Sequence, residues 1–255
     1  MRKRWGLVLG PPYAAGAGGY AAPADLPDGT PAVLKLIHPH REAEHEAAAL
    51  ARWDGHGAVR LLDRSDDGWA VLLERCEPGT PLSAAGPETA LDVLTGLLPR
   101  LWIAAGGPFG TLADEAGWWV AHIPDEWERA GRPFERRLLD AALDALRSLA
   151  PSQGEQVLLH QDLHGDNVLA AGREPWLAID PKPLVGEREF AVAPIVRSPE
   201  LGHSRRAVVG RLDRLTSELG LDRDRARCWT IGQTIAWSVD AGPEHLEVVR
   251  WLLEA

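Results

Sequence analysis

Residues 157–182, with the sequence VLLHQDLHGDNVLAAGREPWLAIDPK, decide the fold that we expect for this chain. An apolar run leads into a polar loop rich in His, Asp and Asn, and two further apolar runs follow at 168–170 and 176–179. The turn residues Ala-Gly-Arg-Glu-Pro separate those two runs, which predicts a β-hairpin. Because a hairpin reverses the chain, Asp180 should return close to the polar loop, beside Asn167.

The spacing of these polar residues is typical of enzymes that transfer phosphoryl groups. His160-x-Asp162 followed by four residues and Asn167 fits the H-x-D-x-x-x-x-N loop of kinases, which place a magnesium-binding Asp where Asp180 lies. Asn and Asp supply the hard oxygen ligands that hold Mg²⁺ against phosphates, and a further carboxylate must accept the proton of the attacking hydroxyl. Two alternatives stay open for this stretch alone. In the first alternative, the stretch is only a loop exposed to solvent. In the second, H-x-D-x-H-x-D is the transition-metal site of a metallohydrolase.

The composition excludes several classes of protein. The 255 residues are 45% hydrophobic, enough for one large domain or two small ones, and no apolar run has the length of a membrane span. The basic N-terminus precedes an apolar run that is too short for a secretory signal, so we expect a cytoplasmic protein. A net charge of −10 argues against nucleic acid or an anionic membrane as a partner and is compatible with a cationic small molecule. Cys76 and Cys228 are interpreted as ordinary buried thiols.

Lysine is rare in this chain, which makes its positions informative. Only three of the 27 basic residues are Lys, and Lys35 lies in the apolar run AVLKLI at 32–37. A buried ammonium group is costly unless it is paired. The run matches the V-A-I-K strand of kinases, whose Lys holds nucleotide phosphates and pairs with a Glu on a helix. The spacing at 41–53 predicts that helix, and Glu46 is the expected partner because it precedes the apolar face, with Glu42 in reserve.

The N-terminal third is predicted to be a small antiparallel sheet. Its expected strands are at 5–9, 21–24, 32–37, 59–62 and 69–73. A glycine-rich loop, AAGAGGY, follows the first strand, and Gly16 and Gly18 could place N–H groups over nucleotide phosphates; equally, the loop could be only a flexible turn. The segment 74–79 breaks the strand pattern and is predicted to link the sheet to the rest of the chain.

From residue 87 onward the sequence predicts mainly helices. Apolar residues recur at helical spacing in 91–101, 138–149 and 208–219, and two last helices are expected at 222–239, with Asp222 as N-cap, and at 244–253. A stretch that we predict to be rich in loops combines Trp118, Trp119 and Trp127 with Asp125 and Glu126. It is interpreted as an acidic, aromatic wall of a substrate cleft, or as helix packing with the charges facing solvent.

Taken together, Lys35, Glu46, HQDLHGDN at 160–167 and IDPK at 179–182 resemble the aminoglycoside/hydroxyurea phosphotransferase family, which are small bacterial antibiotic kinases. The likeness extends over nearly the whole chain, including DGTPAVLKL and IDPKPLVGEREFAVAP. It implies an α+β, protein-kinase-like fold of two lobes. The expected N-terminal lobe, 1–76, holds a small antiparallel β-sheet and one helix, and the larger C-terminal lobe, 77–255, is mainly helical.

The resemblance also implies an activity and a set of site residues. The activity is ATP- and Mg²⁺-dependent transfer of the γ-phosphoryl group to a hydroxyl of a small polar molecule. We expect an aminoglycoside of the streptomycin type, with hydroxyurea or another small molecule as the alternative, and a monomeric enzyme. The implied residues are Asp162 as catalytic base, Asn167 and Asp180 for magnesium, Lys35, Glu46, Gly16 and Gly18 for nucleotide phosphates, Glu74, Arg75 and Cys76 as adenine hinge, and Asp166, Asp125 and Glu126 for the acceptor.

Two departures from the family pattern bear on activity. Gln161 stands where a Gly often follows the catalytic His, a change that we expect to be tolerated. Ala191 stands where related sequences tend to carry an Asp that braces the catalytic loop, which puts the rigidity of that loop in doubt. Ala191 and the thinned glycine loop therefore motivate a hypothesis of another class, a non-catalytic nucleotide-binding pseudokinase.

Overall fold

A β-sheet in the N-terminal third carries the lysine that the sequence singled out. The computed structural model describes residues 2–13, 19–238 and 242–255. Within these ranges, five strands form an antiparallel sheet in the order β1-β2-β3-β5-β4. The strands are Val8–Leu9 (β1), Gly19–Asp25 (β2), Pro31–Ile37 (β3), Leu61–Arg64 (β4) and Ala70–Glu74 (β5). The predicted sheet is confirmed, whereas Gly16 and Gly18 lie outside the described residues.

Strand β3 separates two apolar environments. Side chains alternate between the faces of a strand. Ala32 and Leu34 accordingly pack into a small cluster on one face of the sheet. Val33 and Lys35 point to the opposite face, where they line a cavity. Because β3 is flanked by β2 and β5, its backbone is held on both edges, and the position of the lysine is fixed.

Two local predictions in this third were wrong in their extent. The expected strand at 5–9 is reduced to β1, because Arg2–Trp5 form a short helical turn (α1) and Gly6 adopts a left-handed conformation (φ +64°). The expected helix at 41–53 begins only at Glu46 and runs to Trp53 (α2), after a 3₁₀ turn at Arg41–Ala43. The polar residues before Glu46 offer little apolar surface to bury, which is what holds most protein helices in place.

Helices dominate the remaining part of the chain that the structure describes. They are Pro87–Leu101 (α3), Leu112–Arg129 (α4), Arg136–Leu149 (α5), Ala193–Arg197 (α6), Arg205–Leu219 (α7), Arg223–Ala236 (α8) and Pro243–Leu253 (α9). The predicted cap of α8 is present, since the Asp222 side chain accepts a hydrogen bond from the Arg225 N–H at 3.0 Å. Gly220, in the left-handed region at φ +64°, ends α7.

The stretch predicted to be rich in loops is instead the long helix α4. Trp119, Ile123 and Trp127 recur every four residues and are buried in the main core. Pro124 lies inside the helix, which explains why the sequence did not favour a continuous helix here. Asp125 is exposed, so helix packing with charges toward solvent describes this stretch better than a cleft wall does.

Two small ribbons connect the sheet to the helices. Gln156–Leu159 (β6) pairs with Leu184–Glu187 (β9), and Val168–Ala170 (β7) pairs with Trp176–Ala178 (β8), both antiparallel. The second ribbon is the hairpin predicted from the sequence. Its strand β8 also bonds to the segment before β4, because the Val59 N–H donates to the Ala178 carbonyl at 3.0 Å.

The arrangement agrees with the expected α+β fold of two lobes. The last strand of the sheet ends at Glu74, close to the expected boundary at 76/77, which stays a proposal. In the described ranges, no helix combines the length and the apolar character that crossing a bilayer requires.

Candidate active site

The β7–β8 hairpin brings the polar loop and Asp180 together, as the sequence predicted. The Ile179 N–H donates to the Asn167 carbonyl at 2.9 Å, which places Asp180 next to the loop. His160 donates from Nε2 to the Ile179 carbonyl at 2.9 Å and lies under the Trp53 ring. Burial lowers the pKa of His160 to about 4, so the imidazole is neutral at physiological pH. This histidine supports the backbone from within the core.

Two residues of this region adopt left-handed backbone conformations that favour glycine. Gln161 has φ +65° and Asp180 has φ +56°. Such conformations cost on the order of 1–3 kcal/mol each and concentrate at functional sites. Contacts hold both residues in place: the Gln161 carbonyl accepts a hydrogen bond from Gln233 Nε2 at 3.0 Å, and the Asp180 carboxylate contacts Lys35.

Asp162 lies at the centre of a network of donors. Its carbonyl accepts a bond from Asn167 Nδ2 at 2.8 Å, and the same amide is 3.4 Å from Asp162 Oδ2. The Lys182 ammonium also hydrogen-bonds Oδ2. On the other side, Arg197 Nη2 and His164 Nε2 both lie 3.8 Å from Oδ1. Asp162 is thus held in one orientation, with Oδ1 facing a cavity.

The Lys35 ammonium contacts two carboxylates, one from the start of α2 and one from the segment after β8. Its Nζ lies 2.7 Å from both Glu46 oxygens and 2.5 Å from Asp180 Oδ1. Burial alone lowers the Lys35 pKa, but the negative charges of Glu46 and Asp180 outweigh it and raise the pKa above its ordinary value. Burial raises the pKa of Glu46, whereas Lys35 lowers that of Asp180 against the effect of burial. These directions agree, because one cation balances only one of two acids.

Asn167 and Asp180 have the chemistry of a magnesium site. Since Asn167 Nδ2 donates to Asp162, its Oδ1 remains available as a neutral oxygen ligand, and Asp180 Oδ2 is the carboxylate oxygen that does not bind Lys35. Both residues line one cavity of about 420 Å³ together with Lys35 and Asp162. Two protein oxygens suit Mg²⁺, which is usually held by one or two side chains together with substrate phosphates.

The metallohydrolase alternative is not supported by the described residues. Among them, no group of three His, Cys, Asp or Glu side chains is arranged to hold a metal ion. His160 is turned into the core and donates to a carbonyl. The H-x-D-x-H-x-D pattern therefore does not form a cluster.

A second cavity, of about 410 Å³, lies between the sheet and the β7–β8 hairpin. Apolar side chains from both sides line it, and Lys35 and Asp180 lie at one end. They include Val33, Val59, Leu73, Leu169 and Ile179. An apolar cavity lined also by a lysine and an acid suits a purine base whose phosphates extend toward the charged residues.

The expected adenine hinge, Glu74 to Cys76, is only partly directed at this cavity. Cys76 lines it, and burial raises the pKa of its thiol to about 11. The Glu74 carboxylate instead accepts two bonds from Arg173 at 2.8 and 2.9 Å, which ties the end of the sheet to the hairpin turn. Arg75 points to Glu77 and Asp25. Neither of these two side chains is thus directed at a base, and the Glu74 N–H already donates to the Arg60 carbonyl at 2.9 Å.

A third cavity, of about 360 Å³, opens on the other side of Asp162. Asp162, Asp166 and Glu200 provide its carboxylates, and Arg197 and Trp237 form part of its wall. Three carboxylates stand against the one guanidinium of Arg197 in this lining, so its charge is mainly acidic. Of the three residues expected to contact the acceptor, Asp166 lies here. Asp125 and Glu126, on the last turns of α4, line none of the cavities described above.

Several residues of the site were not predicted from the sequence. Arg197 follows an apolar run, Gln233 lies in the middle of α8, and Glu200 accepts a bond from the Gly165 N–H at 3.1 Å in the polar loop at 160–167. Arg173 was interpreted only as part of a turn. An unusual polar residue in an apolar segment was the available signal for Gln233, as it was for Lys35.

Comparisons with known proteins agree with this geometry. The chain is 41% identical to a hydroxyurea phosphotransferase of Kitasatospora aureofaciens, over 94% of this chain and 72% of the relative. It is 40% identical to a streptomycin 6-kinase of Streptomyces glaucescens, over 96% and 82%.

Solved structures of kinases share the fold. A choline kinase from Streptococcus pneumoniae matches with a TM-score of 0.69 at 14% identity, covering 100% of this chain and 98% of that one. An aminoglycoside phosphotransferase crystallised with ADP and hygromycin B matches with a TM-score of 0.62 at 16% identity, covering 98% and 96%. A family model described as aminoglycoside/hydroxyurea antibiotic resistance kinase matches residues 4–243. The chain therefore belongs to the aminoglycoside/hydroxyurea antibiotic resistance kinase family.

Proposed function

We propose that this chain transfers the γ-phosphoryl group of ATP to a hydroxyl of a small cationic acceptor, an aminoglycoside of the streptomycin type. The observation that carries the proposal is the position of Asp162. It lines both the cavity that contains Lys35, Asn167 and Asp180 and the acidic cavity on the opposite side. A carboxylate at the junction of a phosphate site and an acceptor site is placed to orient the hydroxyl that attacks the phosphorus.

The residues divide the work as follows. The Asp162 carboxylate accepts the proton of the acceptor hydroxyl while the new oxygen–phosphorus bond forms and the bond to ADP breaks. Lys35, which the buried Glu46 holds in the cleft, binds nucleotide phosphates. Asn167 and Asp180 would hold Mg²⁺, which neutralises charge on the phosphates when bound. The apolar cavity receives the base against the backbone of residues 74–76.

The shape and charge of the third cavity support an aminoglycoside more than hydroxyurea. Asp162, Asp166 and Glu200 supply three carboxylates to its lining against the one guanidinium of Arg197, and this excess of negative charge would attract a cationic acceptor. A cavity of about 360 Å³ is far larger than hydroxyurea, a small neutral molecule. The net charge of −10 fits the same acceptor and argues against nucleic-acid or anionic-membrane partners. We also propose that the enzyme is monomeric and cytoplasmic.

The test is ADP production with a panel of acceptors that includes streptomycin and hydroxyurea. We expect the wild-type chain to release ADP with streptomycin in the presence of Mg²⁺. Asp162→Asn should lower kcat by about 10²–10⁴-fold while ATP binding is largely retained, because the base acts in the chemical step. Asp180→Asn should instead weaken Mg²⁺-dependent nucleotide binding.

Asp140→Asn is the matched control, because Asp140 is a half-exposed acid on the surface of α5 that pairs with Arg136. It should behave like the wild type. If the wild-type chain binds ATP but releases no ADP with any acceptor, the pseudokinase hypothesis replaces this proposal. Turnover by Asp162→Asn at the wild-type rate would reject Asp162 as the base.

A further inference from the structure

Lys182 is fixed at the catalytic carboxylate. It is one of three lysines in the chain, and its ammonium hydrogen-bonds Asp162 Oδ2. The backbone N–H of Lys182 donates to the His160 carbonyl at 3.0 Å, so the Lys182 backbone is attached to the catalytic loop. The side chain is 21% exposed. The head group is therefore positioned at the site, while its flexible stem allows it to shift by a short distance.

The two cations around Asp162 lie on different sides of it. Lys182 lines the cavity that contains Asn167 and Asp180, and Arg197 lines the acidic cavity on the other side. Both pack over the ring of Trp237, with Lys182 Nζ 5.4 Å and Arg197 Cζ 4.6 Å from its centroid. The aromatic platform keeps the cations beside Asp162. Lys182 is thus the cation that faces the phosphate side.

Lys182 can supply the positive charge that a phosphoryl group needs beside Asp162. A phosphoryl group that approaches Asp162 meets the negative charges of Asp162 and Asp180. Lys35 lies 2.5 Å from Asp180, at the Glu46 end of the cavity. It is expected to bind the phosphates that remain with ADP after the transfer. An ammonium group has three donors, so Lys182 can hydrogen-bond Asp162 and a phosphoryl oxygen at the same time. A compact ammonium fits between two anions more readily than a guanidinium group does.

We propose that Lys182 is a catalytic residue whose ammonium bridges Asp162 and an oxygen of the phosphoryl group during transfer. This inference rests on the proposed function. The acceptor oxygen bonds to phosphorus, the bond between phosphorus and ADP breaks, and the acceptor proton passes to Asp162. Lys182 gives up no proton in this step. It offsets the negative charge between the base and the phosphoryl oxygens and so aligns the two reacting groups.

The test compares Lys182→Met, Lys182→Arg and wild type in the full chain, with streptomycin and hydroxyurea as acceptors. Loss of one fixed donor to a transition state costs about 10²–10³-fold in kcat, and we expect this loss for Lys182→Met with the KM for ATP within about threefold of wild type. Lys182→Arg should lose about tenfold, since it keeps the charge with a different shape. Arg147→Met, which removes an exposed charge on α5, is the control and should match wild type.

A second readout distinguishes catalysis from a structural role. Mg²⁺, ADP and aluminium fluoride together mimic the transferring phosphoryl group. Lys182→Met should bind this mimic at least about tenfold more weakly than wild type, with its affinity for ADP unchanged. If affinity for ADP falls equally, or if neither changes, the residue does not contact the phosphoryl group and the proposal is wrong. If Lys182→Met fails to fold, the affinities for the mimic and for ADP are measured on Lys182→Arg instead.

The two proposals can fail separately. A wild-type chain that is inert with every acceptor would overturn both. An active wild-type chain whose Lys182→Met variant keeps its kcat would overturn this inference alone.

Discussion

Glu46→Gln tests the arrangement on which the nucleotide site depends. Glu46 is 1% exposed, and both of its oxygens contact the Lys35 ammonium. Gln has nearly the same volume, so the substitution removes the charge and leaves the packing in place. Lys35 then keeps a single anionic partner, Asp180, which is also an expected magnesium ligand. The variant should therefore affect stability and nucleotide use for related but separable reasons.

The expected magnitude follows from the contacts. Removing one partner of a buried ion pair typically costs about 3–5 kcal/mol. The cost should be smaller here because Asp180 remains 2.5 Å from Lys35 and the Gln carbonyl can still accept one bond. Burial also disfavours the ionised form of Glu46, which raises its pKa and offsets part of the loss. We expect about 2 kcal/mol, which for a chain of this size lowers the Tm by roughly 4–8 °C.

Activity should fall as well. With Glu46 neutralised, Lys35 is drawn more strongly to Asp180, and both must be released from each other before they can bind phosphate and metal. We expect kcat/KM for ATP to fall by about 10–100-fold. Thermal unfolding and initial rates of ADP release measure the two effects. Glu44→Gln is the control, since Glu44 is an exposed acid on the turn before α2. If both variants show the same Tm and kcat/KM, the pairing of Lys35 with Glu46 contributes to neither stability nor activity, and the prediction is wrong.

Three further outcomes are expected. Burial lowers the pKa of His160 to about 4 from its ordinary 6.5, so between these values the unfolded chain binds a proton that the folded chain does not bind. This one group should lower the free energy of unfolding by about 3 kcal/mol between pH 7 and pH 4, as measured by urea denaturation at each pH. Glu187→Gln should lower the free energy of unfolding by about 3 kcal/mol in the same assay, because Glu187 is buried and accepts two bonds from Arg225 Nη2 at 2.8 and 2.9 Å. Glu135→Gln, which removes the charge from a half-exposed pair, should lower it by less than about 1 kcal/mol. Gln233→Leu removes a donor to the catalytic loop and should lower kcat by about tenfold in the ADP-release assay.

Local sequence rules predicted the part of the site that a hairpin imposes. Once the turn between β7 and β8 is recognised, Asn167 and Asp180 have to meet, and the pairing of Lys35 with Glu46 follows from a lone lysine in an apolar strand. Arg197 and Gln233 reach the loop from α6 and α8, where no local pattern indicates which way a polar side chain will point. The sequence could not predict them, because their position is set by helix packing.

The bracing of the catalytic loop bears on whether the chain is an enzyme or a pseudokinase. The sequence placed Ala191 where a supporting Asp was expected, and Ala191 is indeed buried without a polar group to offer. Support comes from elsewhere: Gln233, which is fully buried, donates to the Gln161 carbonyl, and Glu200 accepts the Gly165 N–H. These bonds hold the two ends of the loop that contains Asp162. Since the loop is supported without the expected Asp, Ala191 no longer argues for an inactive protein, and the alternative has to rest on the glycine loop alone.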